Sequence, residues 1–510
     1  MILLSAEQMK YIDNYTTKEL SVPVSVLMHN AANAVIRHMY EGSDNSFLLS
    51  KEDKILVVCG PGNNGCDGLI IADILISKGI DVSVFVPVPF KENTLNDELL
   101  NIYLSNGGLI FDGSDLNQFD AIVDCIFGIG LNREITGIFK ETIDKINDAH
   151  ERHKTKVFAC DIPSGVDTDN GRILGCAVNA DITVTFAYAK LGQFIYPGRK
   201  LSGELYVEDI GIDIGATDLD LNEVSFTMNK GECRLPHREV TGNKSTFGKI
   251  LVIAGSKNIS GACYLSAVSA YRSGAGYVNV FTHKNNEVIL KVMLPEALYS
   301  FYDDDYFDEK ELNKLISNCD SIVIGPGLGC NDTAGRILET VLKNRTVPVV
   351  FDADAINLLA GNDKLMKIYL SNNTCPSVFT PHPLELSRLN KCELNSVLND
   401  YCDIIKRTAT GLNAVVVGKG AASIVSDGKR VYINSTGNDG MGTAGSGDVL
   451  SGIAGAFISK EPDTFMFTCS AVCVHGLAGD IAAERYNRYS LMAGDIAAAI
   501  SEILNKEQKC

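Results

Sequence analysis

The run Lys54-Ile55-Leu56-Val57-Val58-Cys59-Gly60-Pro61-Gly62-Asn63-Asn64-Gly65-Cys66-Asp67-Gly68 carries a strand and a turn in a few residues, and residues 68–79, GLIIADILISKG, add a helix. The apolar stretch to Cys59 is a short β-branched strand. Glycine, proline and asparagine then break it, and the next apolar residues recur at helical spacing until Gly79 stops them. A buried strand feeding a helix through a tight turn is half of a strand–helix–strand unit, so the fold class is α/β. The same rhythm repeats outward. Strand-like runs follow at 81–88, 121–128, 156–163 and 180–187, then at 249–256, 277–282, 321–327, 347–354, 377–383 and 414–420. Residues 425–434 hold Asp427-Gly428, a hairpin signal. Helices are expected at 261–276 and 448–459.

Between residues 211 and 226 the rhythm lapses into glycine and acidic residues. This sets two domains, 1–220 and 221–510, each of ordinary size. Charge divides unevenly, with 17 basic against 32 acidic residues over 1–222 and 28 against 31 over 223–510. A net charge of −18 offers no basic field for nucleic acid. Fifteen cysteines, an odd number scattered without a Cys-x-x-Cys pair, exclude a disulfide framework or zinc site. The start MILLSAEQMK is too briefly apolar for a signal peptide, and no apolar run approaches the roughly 20 residues that span a bilayer. The expectation is a cytoplasmic chain with no membrane partner.

Ligands of open α/β sheets bind beyond the carboxyl ends of the strands, so polar residues there carry the chemistry. The first half has three such corners. Gly60 to Gly68 is either a backbone cradle at a helix start or a tight turn. The second is Asp124, followed by Gly128-Ile129-Gly130, and the third runs from Asp161 through Ser164 to Asp167. With Asn64 they form an oxygen-rich rim suited to a hard cation, unless each Asp merely caps the next helix. In the second half, Gly440-Met441-Gly442-Thr443-Ala444-Gly445-Ser446-Gly447-Asp448 leads into a helix expected near Asp448. Successive N–H groups there can surround a moving phosphoryl, and Asp448 can take a proton from an attacking hydroxyl. The plainer reading is an N-capping Asp. His382, between two prolines, is either a substrate contact or a structural donor. Lys419 to Ser423 line a nucleotide edge or form a plain hairpin approach. His38, His150 and His153 read as surface residues.

Twelve segments in order, among them AEQMKYID (6–13), PGNNGCDGL (61–69), DCIFGIG (124–130), DIPSGVD (161–167), AKLGQFIYPG (189–198), IGPGLG (324–329), FDADAINLL (351–359), TPHPLEL (380–386) and GTAGSGDVLSG (442–452), resemble the bifunctional NAD(P)H-hydrate repair enzymes over nearly the full length. The resemblance implies a Rossmann-like three-layer N-terminal domain followed by a ribokinase-like α/β domain. It implies epimerisation of the R and S hydrates of NADH and NADPH (NADHX and NADPHX) in the first. In the second the S form is dehydrated at the expense of ADP or ATP, by phosphorylation then elimination. By the same resemblance K⁺ would be held by Asn64, Asp124 and Ser164. Asn63, Asn64, Gly65, Cys66, Asp67, Gly128, Ile129, Gly130, Leu131, Asn132, Arg133, Glu134 and Asp161 would line the epimerase site, with Asp161 as acid/base. Ala262, Gly327, His382 and Asp448 would meet the hydrate in the dehydratase. Lys419, Gly420, Ala421, Ala422, Ser423, Gly445, Ser446 and Gly447 would meet the adenine nucleotide, with Mg²⁺ on its phosphates and Asp448 as base. A homo-oligomer is expected. Departures from the family pattern are His29 before Asn30-Ala31, where Glu is common; Cys66, where Gly is common; and Asn243-Lys244-Ser245, where the family has His-Lys-Gly. The alternative is a ribokinase-type small-molecule kinase with a non-catalytic N-terminal binding domain, because the glycine nest alone fits transfer as well as transfer followed by elimination.

Overall fold

The computed structural model describes residues 1–41, 49–221, 223–229 and 231–507. Ile2–Val224 form one compact unit; Ser225–Cys510, with Met1, form a second.

The first unit runs β1 (Ile2–Leu4), α1 (Ala6–Lys18), α2 (Val24–Tyr40), β2 (Ile55–Cys59), α3 (Asn63–Ser77), β3 (Val82–Phe85), α4 (Leu95–Ser105), β4 (Leu109–Ile110), β5 (Ala121–Cys125), α5 (Gly137–Asp148), β6 (Lys156–Cys160), β7 (Ile182–Phe186), β8 (Ala189–Lys190), α6 (Gly198–Leu201) and β9 (Glu204–Glu208). Seven parallel strands make its sheet in the order β4-β3-β2-β5-β6-β7-β9. All five residues of β2 are buried, with Ile55, Val57 and Cys59 in one core and Leu56 and Val58 in the other. That is why its sequence is apolar throughout: the sheet is covered on both faces. Strand order reverses between β2 and β5, so their ends open a crevice. Gly60 permits the approach there, since a Cβ would lie 1.8 Å from the Ile126 carbonyl oxygen.

The turn after β2 is shorter than the sequence suggests. Helix α3 begins at Asn63, so Gly65 and Gly68 sit inside it. They serve packing: a Cβ on Gly65 would meet the Gly60 carbonyl oxygen at 1.8 Å, and one on Gly68 would meet Cys125 and Cys59 at 2.7–2.9 Å.

The second unit runs β10 (Ser225–Phe226), β11 (Lys249–Ile253), α7 (Gly261–Arg272), β12 (Tyr277–His283), α8 (Glu287–Met293), β13 (Leu298–Tyr302), α9 (Glu309–Ser317), β14 (Ser321–Ile324), α10 (Asp332–Asn344), β15 (Val349–Phe351), α11 (Asp354–Gly361), α12 (Asp363–Ser371), β16 (Ser377–Phe379), α13 (Pro383–Asn390), α14 (Leu394–Asn399), α15 (Tyr401–Leu412), β17 (Val415–Gly418), β18 (Ile424–Ser426), β19 (Val431–Ile433), α16 (Ser446–Phe457), α17 (Thr464–Ser490) and α18 (Ala493–Glu507). Its strands lie in the order β13-β12-β11-β14-β15-β16-β17-β18-β19-β10, parallel from β13 to β17 and antiparallel through the β17–β18–β19 hairpins. Helices α7, α16, α17 and α18 cover one face over Ile250, Val252, Val323 and Val350. The small residues of α16 allow this closeness, because a Cβ on Gly452 would fall 2.2 Å from the Ser266 carbonyl oxygen. Helix α16 starts two residues before the expected Asp448. Among the described residues α17 alone is long and apolar enough to cross a membrane, and 72% of its apolar window is buried in the unit, as in a core helix.

Candidate active sites

A cleft of about 710 Å³ opens beyond the carboxyl ends of the first unit's strands. Asn63, Asn64 and Asp67 of α3 line it, with Gly128 to Arg133 from the loop after β5 and Asp161 at the end of β6. Three residues expected at this site stand outside the lining. Gly65 packs on Gly60 and Cys66 is buried in the core, and Glu134 is exposed outside the cleft. Asp161 has φ +68°, a conformation unusual for a residue with a Cβ. Its carboxylate is ion-paired with Lys190, whose ammonium is fully buried and also donates to Thr185 Oγ1 at 2.7 Å and the Phe186 carbonyl at 3.1 Å. Thr185 Oγ1 donates to Asp161 at 3.1 Å, and Gln193 Nε2 donates to its carbonyl at 2.7 Å. Two further carboxyls line the cleft. Burial and the negative charge of Asp161 push Asp13, on α1, up to about 6, and push Asp67 well above the carboxylate range.

Asp124 lies behind this rim and is fully buried. It caps no helix, because the next one, α5, follows Thr136. Instead it accepts bonds from Ser164 Oγ at 2.6 Å, Ser164 N at 2.7 Å and Ile126 N at 3.2 Å. Burial raises it to about 6, and those bonds pull the other way. Asn64 is 7% exposed, and its Nδ2 finds no partner among the described residues.

The second site gathers at the start of α16. Gly445 turns the chain with φ +92° and stands at the N-cap, so Asp448 is in the first turn and is not the cap. Ser266, one turn along α7 from Ala262, donates to the Asp448 carbonyl at 3.0 Å. Ala262 in turn meets Gly327: a Cβ there would be 3.2 Å from the alanine's. Burial, then the charge of Asp352, raises the Asp448 carboxyl to about 7. Asp352, 1% exposed at the end of β15, accepts from Lys419 Nζ at 2.8 Å, from Thr380 Oγ1 at 2.7 Å and from Ser451 Oγ. Burial would lower the Lys419 ammonium, but Asp352 and Glu385 outweigh it and hold it above the usual lysine range. That ammonium lies 3.4 Å from where a Cβ on Gly447 would stand. Gly420 and Ala421 form an exposed turn beyond it, with Ala422 buried and Ser423 Oγ turned back toward Gly420 O at 3.4 Å. His382 caps α13, its Nδ1 accepting from Leu384 N at 3.2 Å and Glu385 N at 3.3 Å.

The geometry now meets its relatives. The family described as NAD(P)H-hydrate dehydratase matches residues 250–502, and the family described as YjeF-related protein N-terminus matches residues 24–192. The "Bifunctional NAD(P)H-hydrate repair enzyme Nnr" of Moorella thermoacetica is 34% identical, over 99% of this chain and 97% of its own. The chain belongs to the bifunctional NAD(P)H-hydrate repair enzyme family. The relative of the same name from Thermofilum pendens is 35% identical over 95% and 92% of the two chains. A ribokinase-like superfamily protein from Enterococcus faecalis superposes with TM-score 0.50 at 27% identity, covering 57% of this chain and 98% of that one. In this repair-enzyme chain the N-terminal unit is thus Rossmann-like and the C-terminal unit ribokinase-like.

Four residues around these two candidate sites were not singled out as site residues in the sequence. Asp13 and Lys190 stood only within AEQMKYID (6–13) and AKLGQFIYPG (189–198), the stretches that carry the family resemblance. Asp352 stood only within FDADAINLL (351–359); its ion pair with Lys419 spans 67 positions and leaves no local pattern. His475 lies behind the glycine nest, 3.3 Å from Ser446 Oγ, and burial lowers it to about 4, so its imidazole is neutral. His38 also differs from its reading as a surface residue: it stacks on Tyr206 at 4.0 Å and pairs with Glu208 at 2.6 Å.

Proposed function

We propose that this chain repairs hydrated nicotinamide cofactors in two steps, as an isomerase and a lyase in one polypeptide. The first unit interconverts the R and S hydrates of NADH and NADPH, with Asp161 as acid/base in the cleft of Asn63, Asn64, Asp67 and Gly128 to Arg133. The second converts the S hydrate to NAD(P)H at the expense of ADP or ATP. The observation that carries the dehydration step is the meeting of Asp448, the Gly445–Gly447 nest and Lys419 at one helix start. Hydroxide leaves poorly and phosphate leaves well, so phosphorylating the hydrate's hydroxyl prepares its elimination. Asp448, poised near neutrality, accepts the hydroxyl proton. The N–H groups of the nest face the transferring phosphoryl, and Lys419 adds a fixed positive charge beside it.

Asp124, Ser164 and Asn64 offer a carboxylate, a hydroxyl and an amide, the donor set of a hard cation. The orphaned, buried Asn64 Nδ2 fits an amide whose oxygen is reserved for such an ion. These residues would hold K⁺, which would supply positive charge at the floor of the cleft. In the second unit Mg²⁺ would neutralise the nucleotide phosphates. Incubating the protein with mixed NADHX, Mg²⁺ and either ADP or ATP should restore the near-ultraviolet absorbance of NADH. No recovery with either nucleotide would contradict the reading, and accumulation of a stable phosphorylated product would favour a kinase.

A further inference from the structure

The epimerase cleft is lined by three carboxyls, Asp13, Asp67 and Asp161, with Lys10, Arg133 and Lys190. Lys190 is spent on Asp161. Asp13 and Asp67 face the same space, and no protein donor is bonded to the Asp13 carboxylate among the described residues. The sequence builds this deliberately. Strand β1 pairs with β8 so that Leu4 lies opposite Lys190. Ser5 then caps α1 in a reciprocal box with Gln8, and Ala6 N is tied to Asp169 at 2.7 Å. Met9, Ile12 and Thr16 anchor the helix in the core, which leaves Asp13 on the side that lines the cleft. Its position is therefore fixed relative to the Asp161–Lys190 pair by a strand pairing and a cap.

We propose that Asp13 is a second catalytic residue of the epimerisation, exchanging a proton with the ring nitrogen of the hydrate while Asp161 exchanges one with its hydroxyl. The proposal rests on the epimerase reading of this cleft. Two carboxyls facing one cleft suit a reaction in which a proton leaves one atom while another arrives on an atom bonded to the same carbon. At C6 of the hydrate those atoms are the hydroxyl oxygen and the ring nitrogen. Asp161 takes the hydroxyl proton, the C6–N1 bond breaks with its electron pair going to nitrogen, and Asp13 protonates that nitrogen. C6 is then an aldehyde free to turn about its bond to C5. On reclosure N1 attacks the other face, its proton returns to Asp13, and Asp161 returns its proton to the oxygen. Both carboxyls end as they began, and no oxidant or reductant is consumed. Burial raises Asp13 to about 6, which brings its proton exchange nearer to neutral pH than that of an ordinary carboxyl.

The test follows epimerisation of purified R-NADHX by the full-length protein, with dehydration of S-NADHX in the same preparation as control. Asp13→Asn should lower epimerase kcat by about 100-fold or more, with KM within about threefold, while Asp13→Glu regains at least a tenth of wild-type turnover. Asp13→Asn turning over within about threefold of wild type would overturn the proposal. So would equal losses in the Asn and Glu variants accompanied by an equal rise in KM, which mark a structural role. A wild-type protein that dehydrates the S form but never epimerises the R form would overturn the epimerase reading itself.

Discussion

Each unit places one lysine among several carboxylates at its strand ends, and they spend it differently. In the N-terminal cleft Lys190 goes to the candidate acid/base Asp161, and burial with the charge of Asp161 raises its neighbours Asp13 and Asp67. In the C-terminal site Lys419 goes to the bystander Asp352, and the candidate base Asp448 has no ion pair among the described residues and is raised to about 7. The contrast follows the chemistry. Epimerisation returns its protons each cycle and needs an acid and a base together. Dehydration needs one base that ionises near neutrality, beside a fixed positive charge that stays in place when the phosphoryl moves.

The largest expected effect comes from removing the unpaired base. Asp448→Asn should lower dehydration by about a thousandfold and leave epimerisation intact; equal dehydration rates would remove Asp448 from the chemistry. Next comes the lysine of the first site. Lys190→Met should cost epimerisation about 100-fold, because it removes the ion-pair partner that holds the Asp161 carboxylate in place, while S-hydrate turnover stays unchanged. At the nest, Gly447→Ala sets a methyl 3.4 Å from Lys419 Nζ. It should raise the nucleotide KM about tenfold with little change in melting temperature.

A subtler test reads pH. Asp448 works ionised, so wild-type dehydration should fall as pH drops through about 7. The negative charge of Asp352 is one cause of that raised value, so Asp352→Asn should carry the acid limb about one pH unit lower. An unmoved limb would show that the two carboxylates do not communicate. The smallest effect concerns a family departure. Cys66→Gly trades a buried thiol in α3 for the commoner residue and should lower stability by about 1 kcal/mol in a denaturant titration, without altering epimerase KM.

Much of this was legible in the sequence. The strand–turn–helix run at 54–79, the strand-end acids Asp124 and Asp161, and the GSGD nest all declare themselves because their meaning is local: a glycine, an apolar run or a polar residue at a strand end. The helix start at Asn63 was missed because Gly65 and Gly68 look like loop residues, whereas close packing against β2 and β5 is what demands them. The counter-charges were illegible for another reason. Lys190 is 29 residues from Asp161 and Lys419 is 67 from Asp352, and only the parallel sheet brings those strand ends together. Asp13 is hidden likewise, since an acid on an amphipathic helix reads as solvated until the β1–β8 pairing turns it toward Lys190.

The central claim, two independent chemistries in one chain, is tested most directly by complementation. Asp161→Asn alone should repair only the S part of an R/S mixture of NADHX within the time of the uncatalysed interconversion, and Asp448→Asn alone should repair none. Mixed together with nucleotide and Mg²⁺, the two variants should restore NADH absorbance to the wild-type end point. A mixture that stops where Asp161→Asn stops by itself would contradict the account.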